Sequence, residues 1–505
     1  MSARPRRSFA SLCAWTAVAL GFVATVPSVE PASAGGVIAR ALRRSTAISG
    51  HSGRWLIDGK GRIVTLHGVN MVAKLPPYDP AALGFGEDDA QFLAGEGFNT
   101  VRLGIIYKAL EPVRGQYEDA YLESIAATAR MLGRAGIHVL VDFHQDLFNE
   151  RFSGEGFPDW AVIDDGLPAE PDAGFPGNYF LMPALWRAFD HFWANDAAPD
   201  GTPLQDAYAD AWAHAATRLR RERAVFGYDI FNETWPGSQY PTCINPEGCP
   251  VFDATATEFA RKVFARIRQA DTQKLVFYET HPVFGAGADV HIGDTGDDNA
   301  GFSFHVYCLG AAAGVPEQYL GMLACPLGID RPFERAQAQS DRTGDALLMS
   351  EFGATDDLGA LSRDVEAAER HMMSWQYWSY WNRDPCCDRP HEGVIIDPAL
   401  PPTPDNLKQA KLDVLVRPYP RAVAGTPVSY DFHADAADRL FELVYESDPA
   451  VRAPTEIVVP ARHYAGGYTA KVTGPARVVS RPGAELLKLR TTGAGPVRVE
   501  VRRAP

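Results

Sequence analysis

Eight short apolar runs recur along the chain, and most of them close on a polar residue. They are Val64–Asn70, Thr100–Ile105, His138–His144, Val225–Glu233, Lys274–Glu279, Phe302–Tyr307, Ala346–Gly353 and Gln376–Trp381. Longer stretches with helical apolar spacing lie between them, among them Glu118–Ala135 and Glu258–Ala270. Such alternation specifies an α/β architecture, a parallel sheet covered by helices, and eight strands are the number that closes into a (β/α)8 TIM barrel. An open doubly wound sheet would alternate in the same way, but no Gly-x-Gly-x-x-Gly follows the first run. In a barrel the C-terminal ends of all strands share one mouth, so the terminal polar residues converge there.

Upstream, Trp55-Leu-Ile-Asp-Gly-Lys-Gly-Arg-Ile-Val reads as a hairpin expected to plug the barrel's bottom. Downstream of Arg417-Pro-Tyr-Pro the helical spacing stops. β-Branched runs appear at Val428–Phe432, Leu440–Tyr445, Glu456–Val459, Ala470–Val472, Leu486–Thr491 and Val497–Val501. Turn residues separate them at sandwich-like spacing, which assigns residues 55–415 to the barrel and 416–505 to a C-terminal β-sandwich. A structural role is expected for this module, with sugar or lipid binding as the alternative.

The first 34 residues combine Arg4, Arg6 and Arg7 with an apolar stretch from Phe9 to Val26 and end in Pro31-Ala-Ser-Ala. That pattern is expected of a signal peptide cut after Ala34, which leaves residues 35–54 as a linker and makes the protein secreted. Removing three arginines and one glutamate takes the formal charge from -15 to -17. So acidic a chain is not expected to bind nucleic acid, nor to dock electrostatically on anionic bilayers, so that any membrane or micelle contact is transient and apolar. Loss of Cys13 leaves Cys243, Cys249, Cys308, Cys325, Cys386 and Cys387, an even number suited to disulfides outside the cell. Cys243 with Cys249 and Cys308 with Cys325 would close short loops, while Cys386 and Cys387 pair together or elsewhere. The histidines are not grouped at metal-ligand spacing, so neither a metal nor a cofactor is expected. A monomer is expected.

Two glutamates toward the ends of these runs stand out, Glu233 in Tyr228-Asp-Ile-Phe-Asn-Glu and Glu351 in Leu347-Leu-Met-Ser-Glu-Phe-Gly. On one barrel mouth, carboxyl groups about 5 to 5.5 Å apart cleave a glycosidic bond with retention. Glu233 is then the acid, Glu351 the nucleophile, and Asn232 reaches the sugar 2-hydroxyl. Either glutamate alone reads equally well as a helix cap; the eight-strand pattern is what joins them.

Asn-Glu closing the fourth strand and Ser-Glu-Phe-Gly closing the seventh resemble glycoside hydrolase family 5, of clan A. The resemblance implies that Arg102, His144, His305, Tyr307 and a tryptophan of the eighth strand, Trp378 or Trp381, line the reacting sugar's site. Gly68-Val-Asn-Met-Val-Ala-Lys-Leu-Pro-Pro-Tyr, Val141-Asp-Phe-His-Gln-Asp-Leu-Phe-Asn-Glu-Arg-Phe and Gly154-Glu-Gly-Phe-Pro-Asp-Trp-Ala are similar to the endoglycosylceramidase branch of that family. That likeness implies a glycosphingolipid substrate, cut between oligosaccharide and ceramide, with Lys74 and Asp146 holding the sugar beside the cleaved bond. It also implies secretion and a C-terminal β-sandwich. Thr234 departs from the proline that many family members carry after Asn-Glu, which puts sugar preference in question. The segment from Phe175 to Trp186 could offer ceramide an apolar path. The rival readings are an endo-β-glucanase acting on soluble glycans and a non-catalytic carbohydrate-binding protein.

Overall fold

The computed structural model describes residues 46–307, 329–381 and 389–504. Nineteen strands run in chain order: β1 (Ile48–Ser52), β2 (Trp55–Asp58), β3 (Ile63–Val64), β4 (His67–Met71), β5 (Thr100–Ile106), β6 (His138–His144), β7 (Val225–Asp229), β8 (Leu275–Glu279), β9 (Ala300–Val306), β10 (Ala346–Phe352), β11 (Trp375–Tyr377), β12 (Tyr419–Val423), β13 (Gly425–Phe432), β14 (Phe441–Ser447), β15 (Thr455–Val458), β16 (Tyr468–Thr473), β17 (Ala476–Val478), β18 (Leu486–Thr491) and β19 (Gly495–Arg503). Strands β4 to β11 pair in parallel and close into a barrel, one strand for each of the eight apolar runs. Amphipathic helices such as Asp119–Ala135, Leu204–Leu219 and Pro250–Ala270 bury their apolar stripes around it.

Three strand ends differ from the sequence reading. Val64 pairs outside the barrel, so the first barrel strand begins only at His67. The fourth ends at Asp229, and three more residues precede Glu233, whose backbone has a φ of 48°. The eighth is ordered as strand over Trp375–Tyr377 alone, leaving Trp378 and Trp381 on the loop above.

The bottom of the barrel is plugged as the hairpin pattern predicts. Leu56 and Val64 join one apolar cluster with Leu66, Leu140, Phe226, Leu275, Phe277, Ala346 and Leu348. The same hairpin also does something the sequence does not announce. Residues 48–52, read as linker, form β1, and the order β1-β2-β3-β12-β15-β18-β17 makes the first three strands part of the C-terminal module's sheet. The second sheet, β13-β14-β19-β16, packs on it through Tyr419, Phe441, Leu443, Ile457, Leu489, Val497 and Val499. Two strands of this sandwich were not read from the sequence. In β12, Pro420 argues locally against a strand, and the register shift between Tyr419 and Ala422 is what accommodates it. In β17, three half-exposed residues carry no apolar alternation.

A buried charge cluster joins the hairpin to this sheet. Glu456 lies 2.6 Å from Arg421, 2.8 Å from Lys488 and 3.4 Å from Arg62, which also pairs with Asp58 at 2.8 Å. Burial opposes ionisation of Glu456, yet Arg421, Arg62 and Lys488 pull it from 4.5 down to about 2. A depressed carboxylate stabilises the fold above its unfolded pKa and loses that contribution as pH falls through the folded one. Glu456 should therefore contribute about 3 kcal/mol at neutral pH, lost between pH 4.5 and 2. Urea unfolding of Glu456→Gln against wild type checks this: the deficit should be present at pH 7 and nearly gone at pH 2.5.

Candidate active site

Arg102, pointing inward from β5, is fully buried and organises the mouth. Its Nη1 donates to Glu351 at 2.6 Å and to Asn70 at 3.2 Å. Nε donates to Asp229 at 3.0 Å, and Nη2 to Glu279 at 2.6 Å and Asn232 at 3.0 Å, with Asp142 also 3.0 Å away. Burial would lower the guanidinium, but the four carboxylates outweigh it and hold Arg102 firmly charged. The same crowding separates the carboxyl groups. Asp229 is pushed well above its ordinary range by burial and by Glu279, whereas Glu279, despite burial, is drawn down to about 2 by His305 and Arg102.

The two predicted catalytic glutamates come together at the top of this cluster. One oxygen of Glu233, one of Glu351 and a ring nitrogen of His305 all lie within 4.8 Å of one another. The hydroxyl of Tyr307 donates to Glu351 at 2.6 Å, so this carboxylate receives Arg102 on one oxygen and Tyr307 on the other. Two donors, one on each oxygen, fix the orientation of the carboxylate, as a nucleophile requires. Glu233 is the reverse case. Burial raises its carboxyl above the ordinary range, against the lowering by His305 Nδ1 at 2.9 Å, and a raised carboxyl is what an acid needs. Gln145 fixes the adjoining backbone, donating to the carbonyls of Asn232 at 2.9 Å and Glu233 at 3.2 Å.

A second group of charged residues lies beside this pair. Lys74 donates to Asp146, lies 3.7 Å from Glu155 and stands 4.5 Å above the Trp378 ring. His144 stacks on the same ring, with centroids 5.2 Å apart, and contacts Asp142 at 2.8 Å and Asp146 at 3.5 Å. Although burial works against it, Asp142 and Asp146 raise His144 to about 9. Asp146 is drawn below its usual range, against burial, by Lys74 and His144. Its backbone bridges to Glu155, and Gly154 permits this approach, since a Cβ there would meet the Asp146 carbonyl at 1.9 Å. His144, Asp146 and Glu155 could together ligate a cation, and the Lys74 ammonium already supplies the positive charge at that point.

The structure thus gathers Lys74, Arg102, His144, Asp146, Asn232, Glu233, His305, Tyr307, Glu351 and Trp378 into one mouth. It also separates the two tryptophans. Trp378 faces Lys74 and His144, with its indole N–H donated to Glu392 at 2.9 Å, while Trp381 packs edge-on to Phe85 with the apolar core. Of the two, Trp378 is the one placed beside the charged residues of the mouth. Asp142, Asp229 and Glu279 belong to the site but were not singled out from the sequence. Asp142 had a signal, because it stands two residues before His144 and so shares its face of β6.

Cys243 and Cys249 form a disulfide in the loop after β7. Cys308, Cys325, Cys386 and Cys387 lie outside the described residues. The segment from Phe175 to Trp186 folds as the short helix Gly177–Leu181 and the start of Pro183–Trp193, leaving Phe180 and Leu181 partly exposed. Phe180 also packs against Trp235, two residues beyond the acid, with ring centroids 5.1 Å apart.

Comparison with known proteins agrees with this geometry. The cellulase family, glycosyl hydrolase family 5, matches residues 58–384, and the glycoside hydrolase family 5 C-terminal domain matches residues 417–501. Endoglycoceramidase I of Rhodococcus hoagii (strain 103S) is 34% identical over 463 residues, covering 89% of this chain and 87% of that protein. An endoglycoceramidase of Cyanea nozakii is 29% identical over 462 residues, covering 83% of this chain and 85% of its own. Among solved structures, the ganglioside GM3 complex of endo-glycoceramidase II from Rhodococcus sp. aligns with a TM-score of 0.75 at 27% identity, over 89% of this chain and 99% of that one. The lactosyl-enzyme intermediate of the same protein aligns at 0.71 with 28% identity, over 89% and 100%. Matches to both adjoining domains, on a barrel whose mouth brings two buried glutamates together, leave one conclusion: this chain belongs to glycoside hydrolase family 5.

Proposed function

We propose that this chain hydrolyses the β-glycosidic bond between oligosaccharide and ceramide in glycosphingolipids, with retention, releasing both products intact. The observation that carries the chemistry is the asymmetric pair: Glu351 held by Arg102 and Tyr307, Glu233 buried with a raised carboxyl beside it. Glu351 attacks the anomeric carbon while Glu233 protonates the ceramide oxygen, giving a covalent glycosyl-enzyme. Water then gives its proton to Glu233 and its oxygen to the same carbon, and Glu351 departs as a carboxylate. Trp378 offers a face to the pyranose, and Lys74, His144 and Asp146 offer charged donors and acceptors for its hydroxyls.

The lipid aglycone is supported by the endoglycoceramidase relatives along nearly the whole chain and by the partly exposed Phe180 and Leu181 on the acid's side. Export through residues 1–34 is part of the same proposal, on the basic, apolar, small-residue order of that segment. So is preference for micellar or dispersed lipid, since a chain of charge -15 is repelled by anionic vesicles. Purified protein should release intact glycan and free ceramide, identified by mass spectrometry, from a ganglioside or lactosylceramide. Turnover of a soluble cellooligosaccharide alone would transfer the assignment to an endo-β-glucanase.

A further inference from the structure

Glu279 closes β8 and is 3% exposed. Its contacts go to three different parts of the catalytic apparatus. Oε2 accepts the backbone N–H of Glu233 at 2.8 Å. Oε1 accepts from Nη2 of Arg102 at 2.6 Å, the guanidinium whose Nη1 holds Glu351. The same Oε1 faces Nε2 of His305 at 3.3 Å, and Nδ1 of that ring lies 2.9 Å from Glu233 and 3.4 Å from Glu351. One carboxylate therefore touches the acid's backbone, the cation behind the nucleophile and the far nitrogen of the imidazole between them.

The groups facing His305 are Glu233 from the loop after β7, Glu279 from β8, Glu351 from β10 and, edge-on at 6.2 Å, Tyr307 from its own segment. Arg102 from β5 acts through Glu279 and Glu351, and Asp146 adds negative charge toward Glu233. Carboxylates facing both nitrogens favour the imidazolium, with Nδ1–H bonded to Glu233 and Nε2 lying 3.3 Å from Glu279 without a hydrogen bond to it. The reaction moves one negative charge past this ring. Glu351 starts as a carboxylate and becomes an ester, while Glu233 starts protonated and becomes a carboxylate; the second step reverses both. Nδ1–H, within 3.4 Å of both acceptors, can follow the charge with a small rotation.

We propose that Glu279 is a positioning residue of the double displacement: it fixes the acid's backbone and, by holding His305 as a cation, gives the migrating charge a partner at both ends of its path. The proposal rests on the retaining reading of Glu233 and Glu351 and is independent of the aglycone. In Glu279→Gln, the amide oxygen can still accept from Arg102 or from the Glu233 backbone, but the amide N–H₂ would face Nε2 and select a neutral imidazole. The cation lost lies closer to Glu233 than the carboxylate removed with it, so the Glu233 carboxyl should hold its proton to higher pH.

The test compares pH profiles of kcat/KM for wild type, Glu279→Gln and Glu279→Asp on lactosylceramide and on an aryl lactoside. For Glu279→Gln we expect kcat about 10²-fold lower at unchanged KM, with the alkaline limb displaced upward; Glu279→Asp should recover much of the rate. Nitrogen-15 NMR of His305 in the wild-type enzyme at pH 7 should show both ring nitrogens protonated. A Glu279→Gln profile superimposable on wild type, or a neutral His305 ring in the wild type, overturns the proposal. If wild type cleaves the aryl lactoside but not lactosylceramide, the lipid reading fails by itself and the aryl profiles still decide the role of Glu279.

Discussion

Glu351→Gln is expected to lose glycosidase activity by a factor of about 10⁵ or more while folding normally, because an amide cannot form the glycosyl ester that divides the reaction into two easier steps. The neighbouring donors make the loss specific. Arg102 and Tyr307 would each still find an oxygen or an amide group in place, so the packing changes little, whereas the nucleophile is gone. Single-turnover assays on a lactoside with an activated leaving group check this, since such a substrate does not need Glu233 as an acid. Residual activity within about 100-fold of wild type would mean that Glu351 is not the attacking group. A 2-fluoro-lactoside provides a second readout, adding one glycosyl unit to wild type by mass and none to the variant.

The largest stability effect is expected at Arg102. Its guanidinium is fully buried and contacts Asp142, Asp229, Glu279 and Glu351 at 3.0, 3.0, 2.6 and 2.6 Å. Removing one partner of a buried ion pair leaves an uncompensated charge and typically costs about 3 to 5 kcal/mol. Here several carboxylates lose the same cation, so Arg102→Met should reach at least the upper end of that range near neutral pH. Part of the deficit should return in acid, as the orphaned carboxylates take up protons. Arg102→Lys should not rescue, because an ammonium has three donors at one point and cannot span these acceptors from a planar fork. Denaturant unfolding at pH 7 and pH 4.5 separates these outcomes, and equal midpoints for all three proteins would refute this account of the cluster.

The barrel was legible because each strand is a short apolar run ended by polar residues, a local pattern that survives without any partner. The catalytic pair was legible because each glutamate lies toward the end of an apolar run in a known combination, although the fourth strand itself stops at Asp229. Asp142, Asp229 and Glu279 were harder to recognise, since each belongs to an inward face whose charge is balanced from other strands, by Arg102 above all, four strands meeting around that one guanidinium. Trp378 and Trp381 could not be told apart in sequence because the loop between them, not their chemistry, sends one to Lys74 and the other to Phe85. Pairing of β3 with β12 is invisible for a different reason: the two runs are separated by the entire barrel, and no local pattern encodes a partner that far away.

That pairing also bears on the order of events at the ribosome. The hairpin that floors the barrel is made early, but Ile63 and Val64 meet Val423 and Ala422 only after every barrel strand has been synthesised. Contacts of such long sequence separation close late and slowly. Until they form, β3 presents an unpaired edge to solvent, the kind of surface on which nascent chains associate wrongly. The last strands translated thus act as the latch on the first, and a chain halted before residue 419 would carry all eight barrel strands and both catalytic glutamates over a floor held only from the barrel side.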